Sequence, residues 1–266
     1  MRLTVDHTTT YTYERGASYA LLQVRKRPQN LPSQSILSWD LVLDGARKEV
    51  SYSDHHGNLV DLVSLEPGAE RVAVTYKGEV ETHDTAGVSG AHNQLIPLWL
   101  YERATKLTTP GKEIRALADR FPDASPKDVN VLHDLMGAIS EAIAYETDTT
   151  DAETNAEEAL KLGRGVCQDH AHVFIATARL LGFPTRYVSG YLMMMDRIEQ
   201  EAGHAWAEAW VDGLGWTGFD VSNRICPDAR YIRVATGLDY RDAAPVRGLL
   251  YGAERENLVV SIQVQQ

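Results

Sequence analysis

The chain has 266 residues, of which 44% are hydrophobic and 24% are charged, as is usual for globular proteins. At roughly 100–200 residues per domain, this length predicts two domains, and the apolar content excludes disorder as a description of the whole chain. The formal net charge of −11, without a long basic block, argues against binding to nucleic acids and to anionic membrane surfaces.

Targeting signals and cysteine content indicate the compartment. No stretch approaches the roughly 18 uninterrupted apolar residues of a membrane helix, and the start, MRLTVDHTTTYTYERG, lacks the apolar segment of a signal peptide. Two cysteines, Cys167 and Cys226, are too few for a disulfide framework or a four-cysteine zinc site. We therefore expect a cytoplasmic protein without membrane contact, in which a Cys167–Cys226 bridge is unfavourable. A homo-oligomer is compatible with the sequence.

The first hundred residues alternate apolar and polar side chains with a period of two, which predicts β-strands. Four segments carry this pattern: RLTVDHTTTYTY, ILSWDLVLDG, KEVSYSDHHGNLVDLVSL and ERVAVTYKGEVETHD. In the second segment, Trp39, Leu41 and Leu43 share one face. We predict an all-β module, a sandwich or a barrel-like structure, over residues 1–105.

A helical pattern replaces the strand pattern after Pro110, and we start the second domain, 106–266, at this change. Apolar residues then recur at alternating spacings of three and four after Ser125-Pro126. We interpret Ser125 as the N-cap of this helix and Pro126 as its first residue. A shorter helix is predicted over Thr154–Leu162.

A third helix is predicted to begin at Cys167 and to end at Gly182. Three strand-like segments follow it: TRYVSGYLMM, HAWAEAWV and GWTGFDV. The last alternating segment, at about 257–264, is a candidate strand that would return to one of the sheets. The second domain is therefore predicted to be α+β, with helices packed on an antiparallel sheet.

Cys167 lies where local structure favours a reactive thiol. A thiol is an effective nucleophile as the thiolate, which a helix N-terminus and a neighbouring imidazolium both stabilise. Gly163 and Gly165 lead the chain into the helix that begins at Cys167, and the first N–H groups of that helix can also stabilise an oxyanion. Cys226 stands before Pro227 and has no such setting, so we expect it to be structural.

His204 and Asp220 are the candidate partners of Cys167. His204 opens the predicted strand HAWAEAWV, and Asp220 ends the following strand, across a short hairpin. A carboxylate in that place can orient the second ring nitrogen of the imidazole. The three residues predict a Cys–His–Asp site within one unit made of a helix and a hairpin.

Two further residues are weaker candidates. The Gln168 side chain can donate a hydrogen bond to an oxyanion, and Trp206, on the strand face of His204, either lines an acyl-binding groove or fills the core. A zinc site with Cys167 is not expected, because His170 and His172 lie two apart on a helix and point to nearly opposite sides. We expect neither a metal nor another cofactor.

The segments GRGVCQDHAHVFIATARLLGFPTRYVSGYL and HAWAEAWVDGLGWTGFDVSN resemble the core of the bacterial transglutaminase-like superfamily, cysteine enzymes with a papain-like fold. The shared features are a glycine-preceded cysteine that opens a helix, a YVSGY strand, H-A-W, and an aspartate that ends G-W-x-x-F-D. The β half resembles the N-terminal module that accompanies this core in bacterial proteins. The resemblance covers nearly the whole chain.

This resemblance implies roles for the three residues: Cys167 as nucleophile, His204 as general base and acid, and Asp220 as the residue that orients His204. It implies a thioester acyl-enzyme, a peptide or protein substrate, and no need for calcium. Hydrolysis as a peptidase or amidase is favoured, because microbial members are commonly regarded as such enzymes. Transfer to a primary amine and an inert peptide-binding scaffold are the alternatives. The continuation VSN after Asp220 departs from the proline-threonine type of the family.

Overall fold

The computed structural model describes residues 1–13, 19–66, 68–92, 96–251 and 256–266, the last strands partly by their backbone only. These residues form sixteen strands: β1 (Arg2–Tyr13), β2 (Tyr19–Arg27), β3 (Gln34–Asp44), β4 (Ala46–Ser53), β5 (Leu59–Leu65), β6 (Arg71–Thr82), β7 (Val88–Gly90), β8 (Ala144–Tyr145), β9 (Arg164–Gly165), β10 (Thr185–Leu192), β11 (Glu199–Gln200), β12 (His204–Val211), β13 (Gly215–Phe219), β14 (Tyr231–Gly237), β15 (Val246–Tyr251) and β16 (Glu256–Gln265). The helices are a short 3-10 helix (Leu98–Glu102), α1 (Lys112–Ala118), α2 (Val129–Ala142), α3 (Ala156–Leu162), α4 (Cys167–Leu180) and α5 (Tyr240–Ala243).

The N-terminal module is a β-sandwich of two sheets. One sheet has the strand order β11-β16-β1-β6-β3 and the other β15-β2-β5-β4, with antiparallel pairing. Tyr11, Leu22, Val63 and Tyr76 are among the buried side chains between the sheets, and Trp39 packs against them. This agrees with the predicted sandwich and with the inward face of the strand that carries Trp39.

The sandwich takes strands from both ends of the chain. β16 pairs with β1 along nearly its whole length, so the last segment does return to a sheet, and β15 pairs with β2. Neither β2 nor β15 was predicted, because YALLQVRKR and VRGLLY lack a sustained alternation. The division at residue 105 thus separates two sequence patterns, whereas the β-sandwich contains strands from both sides of it.

The second half of the chain forms the predicted α+β layer. A sheet of order β14-β10-β12-β13-β7 packs against α4, and α1, α2 and α3 contact the other sides of this helix. α4 is buried from Asp169 to Arg179, so it forms the central helix of the domain. In the part of the chain that the structure describes, no helix combines the length and apolar character needed to cross a membrane.

The start of α2 differs from the prediction. Asp128, not Ser125, is the N-cap, and its side chain accepts a hydrogen bond from the Asn130 N–H at 3.0 Å. Ser125 begins a turn in which its carbonyl accepts from the Asp128 N–H at 2.8 Å. The prediction of Ser125 and Pro126 as helix start was wrong because aspartate caps as well as serine and here directly precedes the first helical residue.

The segment before Cys167 is shaped by two helix ends. Asn155 and Glu158 form a capping box at the start of α3, and Gly163 ends it with φ of 70°, which a residue with a Cβ rarely adopts. The chain then pairs β9 with β8 in parallel before α4 begins. These contacts fix the approach of the chain to Cys167.

Candidate active site

The structure brings Cys167, His204 and Asp220 together. Cys167 is the first residue of α4 and a partly exposed free thiol, and it lies close enough to His204, at the start of β12, to perturb the pKa of that imidazole. His204 Nε2 donates to Asp220 Oδ2 at 2.6 Å, which leaves Nδ1 to face the thiol. Asp220 is fully buried, and 7% of His204 is exposed. The thiol is therefore the most exposed member of this series.

Asp220 is held by donors besides His204. The Tyr231 hydroxyl and the Asn223 side-chain amide each donate to its Oδ2 at 2.7 Å. Burial opposes the charge of Asp220, but the hydrogen bonds and charge of His204 outweigh burial and lower the pKa of this carboxyl below its ordinary value. Asn223 belongs to the VSN continuation, so the departure from the family pattern supplies a hydrogen bond to the aspartate.

His204 is held as a cation beside the thiol. Burial opposes its charge, but the hydrogen bonds to Asp220 and Cys167 outweigh burial and raise the pKa of His204 from 6.5 to about 10. The imidazolium therefore persists at neutral pH. A cation in this position favours the thiolate form of a neighbouring thiol.

The first turn of α4 supplies free backbone donors. The Val166 N–H donates to Asp169 Oδ2 at 2.8 Å, and Thr150 donates to the same oxygen at 2.7 Å. Asp169 thereby caps the helix. The N–H groups of Cys167 and Gln168 belong to the first turn, where no intrahelical carbonyl is available to accept from them. They are the backbone donors closest in sequence to the thiol.

His170 and His172 are held by the protein. Because a carbonyl oxygen only accepts, His170 Nε2 donates to the Ile143 carbonyl at 3.1 Å, and Nδ1 is 2.8 Å from Ser222 Oγ. His172 Nε2 accepts from the Tyr240 N–H at 3.2 Å. These bonds tie α4 to the chain around the site.

A cavity of about 290 Å³ opens beside the thiol, with Cys167, Gln168 and His204 in its wall. Its opposite wall comes from the N-terminal module and includes Thr9 and Lys26. This volume is at the small end of the range for ligand pockets, ~300–1,000 Å³. A larger cavity of about 560 Å³, lined by residues such as Arg186 and Arg233, contains neither the thiol nor His204.

The two weaker candidates have different positions. Gln168 lines the cavity, as its proposed role requires. Trp206 is 2% exposed, stacks on His204 with ring centroids 6.2 Å apart, and packs with Tyr231 in an apolar cluster. Trp206 therefore fills the core behind His204 and does not line the cavity. Alternation alone could place it on the face of His204 but could not show what covers that face.

A second group of side chains has metal-ligand chemistry. Within the described ranges, His55, His56 and Asp242 bring their ligand atoms within 4.8 Å of one another, away from the thiol. His56 Nε2 is already hydrogen-bonded to Asp242 Oδ2 at 3.2 Å, and Asp242 also accepts from the Leu238 N–H. His56 Nδ1 lies 3.4 Å from the Tyr101 hydroxyl, so both ring nitrogens of this buried imidazole have protein partners.

Sequence reasoning missed three residues around the site: Tyr231, Asn223 and Lys26. The alternation of YIRVATG could have identified the strand that carries Tyr231. Asn223 lies in a turn, and asparagine is so common in turns that its presence there does not indicate a role in the site. Lys26 lies more than a hundred positions before Cys167, and nothing local relates the two residues.

Asp220→Asn is expected to lower the pKa of His204 by roughly 1–3 pH units, because the variant lacks the negative charge that favours the imidazolium. The measurement is an NMR titration of the His204 ring, assigned with a His204→Gln variant. Asp228→Asn, which removes a carboxylate paired with Arg230, is the matched control and should leave the titration unchanged. An unchanged midpoint in Asp220→Asn would show that Asp220 does not hold the imidazolium.

Comparisons with known proteins agree with this architecture. Residues 115–221 match the transglutaminase-like superfamily, and residues 3–81 match the bacterial transglutaminase-like N-terminal region. An uncharacterized protein of Mycobacterium tuberculosis is 30% identical, and the match covers 99% of this chain and 91% of that protein. One of Mycobacterium leprae is 27% identical over 99% of this chain and 98% of that protein.

A solved structure shares the fold. The crystal structure of a protein from Cytophaga hutchinsonii, described as a candidate cysteine protease, has a TM-score of 0.77 at 23% identity and covers 100% of this chain and 91% of its own. The fold extends over both halves of the chain, as the two matched regions do. The chain therefore belongs to the transglutaminase-like superfamily and carries the bacterial N-terminal region of that family.

Proposed function

We propose that this protein hydrolyses peptide or amide bonds through a thioester formed on Cys167. The observation that carries the proposal is the placement of the Cys167 thiol beside His204, whose ring is hydrogen-bonded to the buried carboxylate of Asp220. Such a series activates a nucleophile and keeps a proton ready for the leaving group. The adjoining cavity gives a substrate access to the thiol.

In the first half of the reaction, the Cys167 thiolate attacks the amide carbonyl carbon and forms the C–S bond. The carbonyl oxygen becomes an oxyanion, which the backbone N–H groups of the first turn of α4 stabilise. The His204 imidazolium then donates its proton to the amide nitrogen, the C–N bond breaks, and the amine leaves. Asp220 keeps the His204 ring oriented while its charge changes.

In the second half, water attacks the thioester carbonyl. Neutral His204 removes a proton from that water, a second oxyanion forms, and its collapse breaks the C–S bond. The products are a carboxylic acid and the regenerated Cys167 thiolate beside protonated His204. A primary amine in place of water would give a new amide, which is the transglutaminase outcome.

Two observations support hydrolysis over amine transfer. The thiol is partly exposed, so water reaches the thioester without a dedicated site. The Cytophaga hutchinsonii protein that shares the fold is described as a candidate cysteine protease. Amine transfer would require, in addition, a site that binds the amine ahead of abundant water.

The test is incubation of the protein with casein, with and without dansylcadaverine as a labelled primary amine. Hydrolysis predicts new peptide fragments or released ammonia, in excess of dansyl incorporation. Cys167→Ala should abolish the products, whereas Cys226→Ala, which removes the other thiol, should retain them. Transfer releases one ammonia for each amine incorporated, so incorporation equal to the ammonia released, without new peptide fragments, would overturn the hydrolytic assignment in favour of transfer.

Absence of all these products with retained peptide binding would support the scaffold alternative. Because the cavity admits some peptides and excludes others, this conclusion requires the same result with a panel of different peptides. Cys167→Ala would then bind peptides as the native protein does.

A further inference from the structure

The inward face of β1 has a polar interruption. Six side chains at alternate positions of this strand point inward and are buried. Four of the six are aliphatic or aromatic: Leu3, Val5, Tyr11 and Tyr13. The two between them are His7 and Thr9, each 3% exposed. Buried polar groups are costly unless they are hydrogen-bonded, so this interruption requires partners or a role.

Lys26 completes the polar interruption from the neighbouring sheet. It continues the inward face of β2 after Ala20, Leu22 and Val24, and 1% of it is exposed. Its Nζ donates to Thr9 Oγ1, which lies 3.3 Å from His7 Nε2. His7 Nδ1 in turn is 2.8 Å from the Tyr191 hydroxyl.

Lys26 has no counterion within the part of the chain that the structure describes. Among the described residues no carboxylate forms an ion pair with it, and burial lowers the pKa of Lys26 to about 7. An ammonium has three donors, and Thr9 accepts one of them. Lysine is almost never fully buried unless it is paired, so this amine lacks the partner that buried lysines ordinarily have.

The unpaired amine faces the same cavity as the thiol. Lys26, Thr9 and His7 line the 290 Å³ cavity together with Cys167 and His204. The lining of the cavity thus carries a cationic group on the N-terminal module and the nucleophile on the second domain. A substrate held between them would contact both halves of the chain.

We propose that Lys26, supported by Thr9 and His7, is a specificity-determining residue that binds a carboxylate of the amide substrate in the cavity of Cys167. The substrate class is an amide or peptide with an acidic side chain or a free terminal carboxylate near the scissile bond. The bound carboxylate is the counterion that Lys26 lacks in the free protein. This proposal rests on the proposed function in one respect, that the bound carboxylate belongs to a substrate of Cys167. Binding of the carboxylate itself does not require turnover.

The other ionisable groups of the cavity are consistent with this assignment. Burial, followed by the charge of Lys26, holds the pKa of His7 well below its ordinary value, so His7 is neutral. Glu201 also lines the cavity but is exposed, where water screens its charge. His204 is a cation committed to Asp220 and Cys167. Lys26 is therefore the buried cation that is free to pair.

Labelling of Cys167 in a Cys226→Ser background tests the site with three probes. Chloroacetyl-glutamate amide and chloroacetyl-glutamine amide differ in one side-chain charge, and chloroacetyl-glutamine with a free carboxyl terminus moves that charge to the terminus. In each, the thiolate attacks the CH₂ carbon, the S–C bond forms, the C–Cl bond breaks and chloride leaves. Labelling rates are measured at pH 6 by intact mass.

We expect one of the two charged probes to label Cys167 at least about 10-fold faster than the neutral probe, as a charge-assisted hydrogen bond predicts. The faster probe identifies the side-chain or the terminal carboxylate as the ligand. Lys26→Met, of similar size, should abolish the preference, whereas Lys77→Met, which removes an exposed cation paired with Asp6, should retain it. Equal rates for all probes, or a preference that persists in Lys26→Met, would overturn the proposal.

A second measurement separates this proposal from the proposed function. If the native thiol reacts no faster than free cysteine, the proposed function fails, and binding to Cys167→Ala decides the carboxylate site alone. Acetyl-glutamate amide or acetyl-glutamine should then bind more tightly than acetyl-glutamine amide, measured by NMR titration, and Lys26→Met should remove the difference. Equal affinities would refute the site, and a matching melting temperature of Lys26→Met confirms that the variant is folded.

Discussion

His204→Ala is expected to slow the alkylation of Cys167 by iodoacetamide about 10²-fold at pH 6. An ordinary thiol, with a pKa of about 8.5, is only about 0.3% ionised at that pH. In the native protein the His204 cation, whose pKa is raised to about 10, stays next to the thiol throughout the neutral range and favours the thiolate. Loss of this cation should therefore slow the reaction most at pH 6, and the difference between the variant and the native protein should shrink as the pH rises toward 8.

The experiment uses a Cys226→Ser background, so that one thiol reports. His133→Ala, which removes a histidine that packs on Phe219 outside the hydrogen-bonded series, is the matched control and should keep the native profile. The same His204→Ala variant should lose amide turnover by about 10³-fold or more, since it lacks the group that transfers the proton. An alkylation profile that is identical with and without His204 would mean that the pair is not assembled in solution.

Glu208→Ala is expected to lower the free energy of unfolding by about 3–5 kcal/mol, because it leaves buried arginines without a counterion. Glu208 is 1% exposed, and its Oε2 accepts from Arg186 Nε at 2.7 Å. Its Oε1 accepts from Ser89 Oγ at 2.9 Å and lies 3.4 Å from Arg233 Nε. Through these three partners the carboxylate connects β12 with β10, β14 and β7. Arg186 also stacks on the Trp216 ring.

The loss should depend on pH in a defined direction. Burial opposes the charge of Glu208, but Arg233 and Arg186 outweigh it and lower its pKa below the ordinary 4.5. A carboxyl with a lowered pKa stabilises the fold fully above its unfolded value, and this contribution is lost as the pH falls through the folded value. Chemical denaturation should therefore show the largest difference at pH 7 and a smaller one near pH 3.

Asp196→Ala is the control for this prediction. Asp196 is 71% exposed and pairs with its neighbour Arg197, so its removal should change the unfolding free energy far less. A loss in Glu208→Ala no larger than that of the control would show that the buried network does not stabilise the fold. The Glu208 network lies on the strand that begins with His204, so its loss should also displace the site.

The sequence was sufficient for the residues whose chemistry depends on local structure. Cys167 is recognisable because glycines precede it and a helix follows, and both features lie within a few positions. His204 begins β12 and Asp220 directly follows β13, and a tight turn joins these two strands, so the hairpin alone brings the two residues close. Periodicity identified most of the strands and helices for the same reason, because alternation and helical spacing are properties of one segment.

Tertiary structure decided what covers each face and which distant segments meet. Trp206 shares the strand face of His204, but only the packing of Tyr231 against it shows that this face is core at that point. Ser125 and Asp128 are both good caps, and the fold selected the one next to the first helical residue. Lys26 reached the cavity of Cys167 because the β-sandwich packs against the second domain. Burial and electrostatic partners are set by such long-range contacts, which no local pattern encodes.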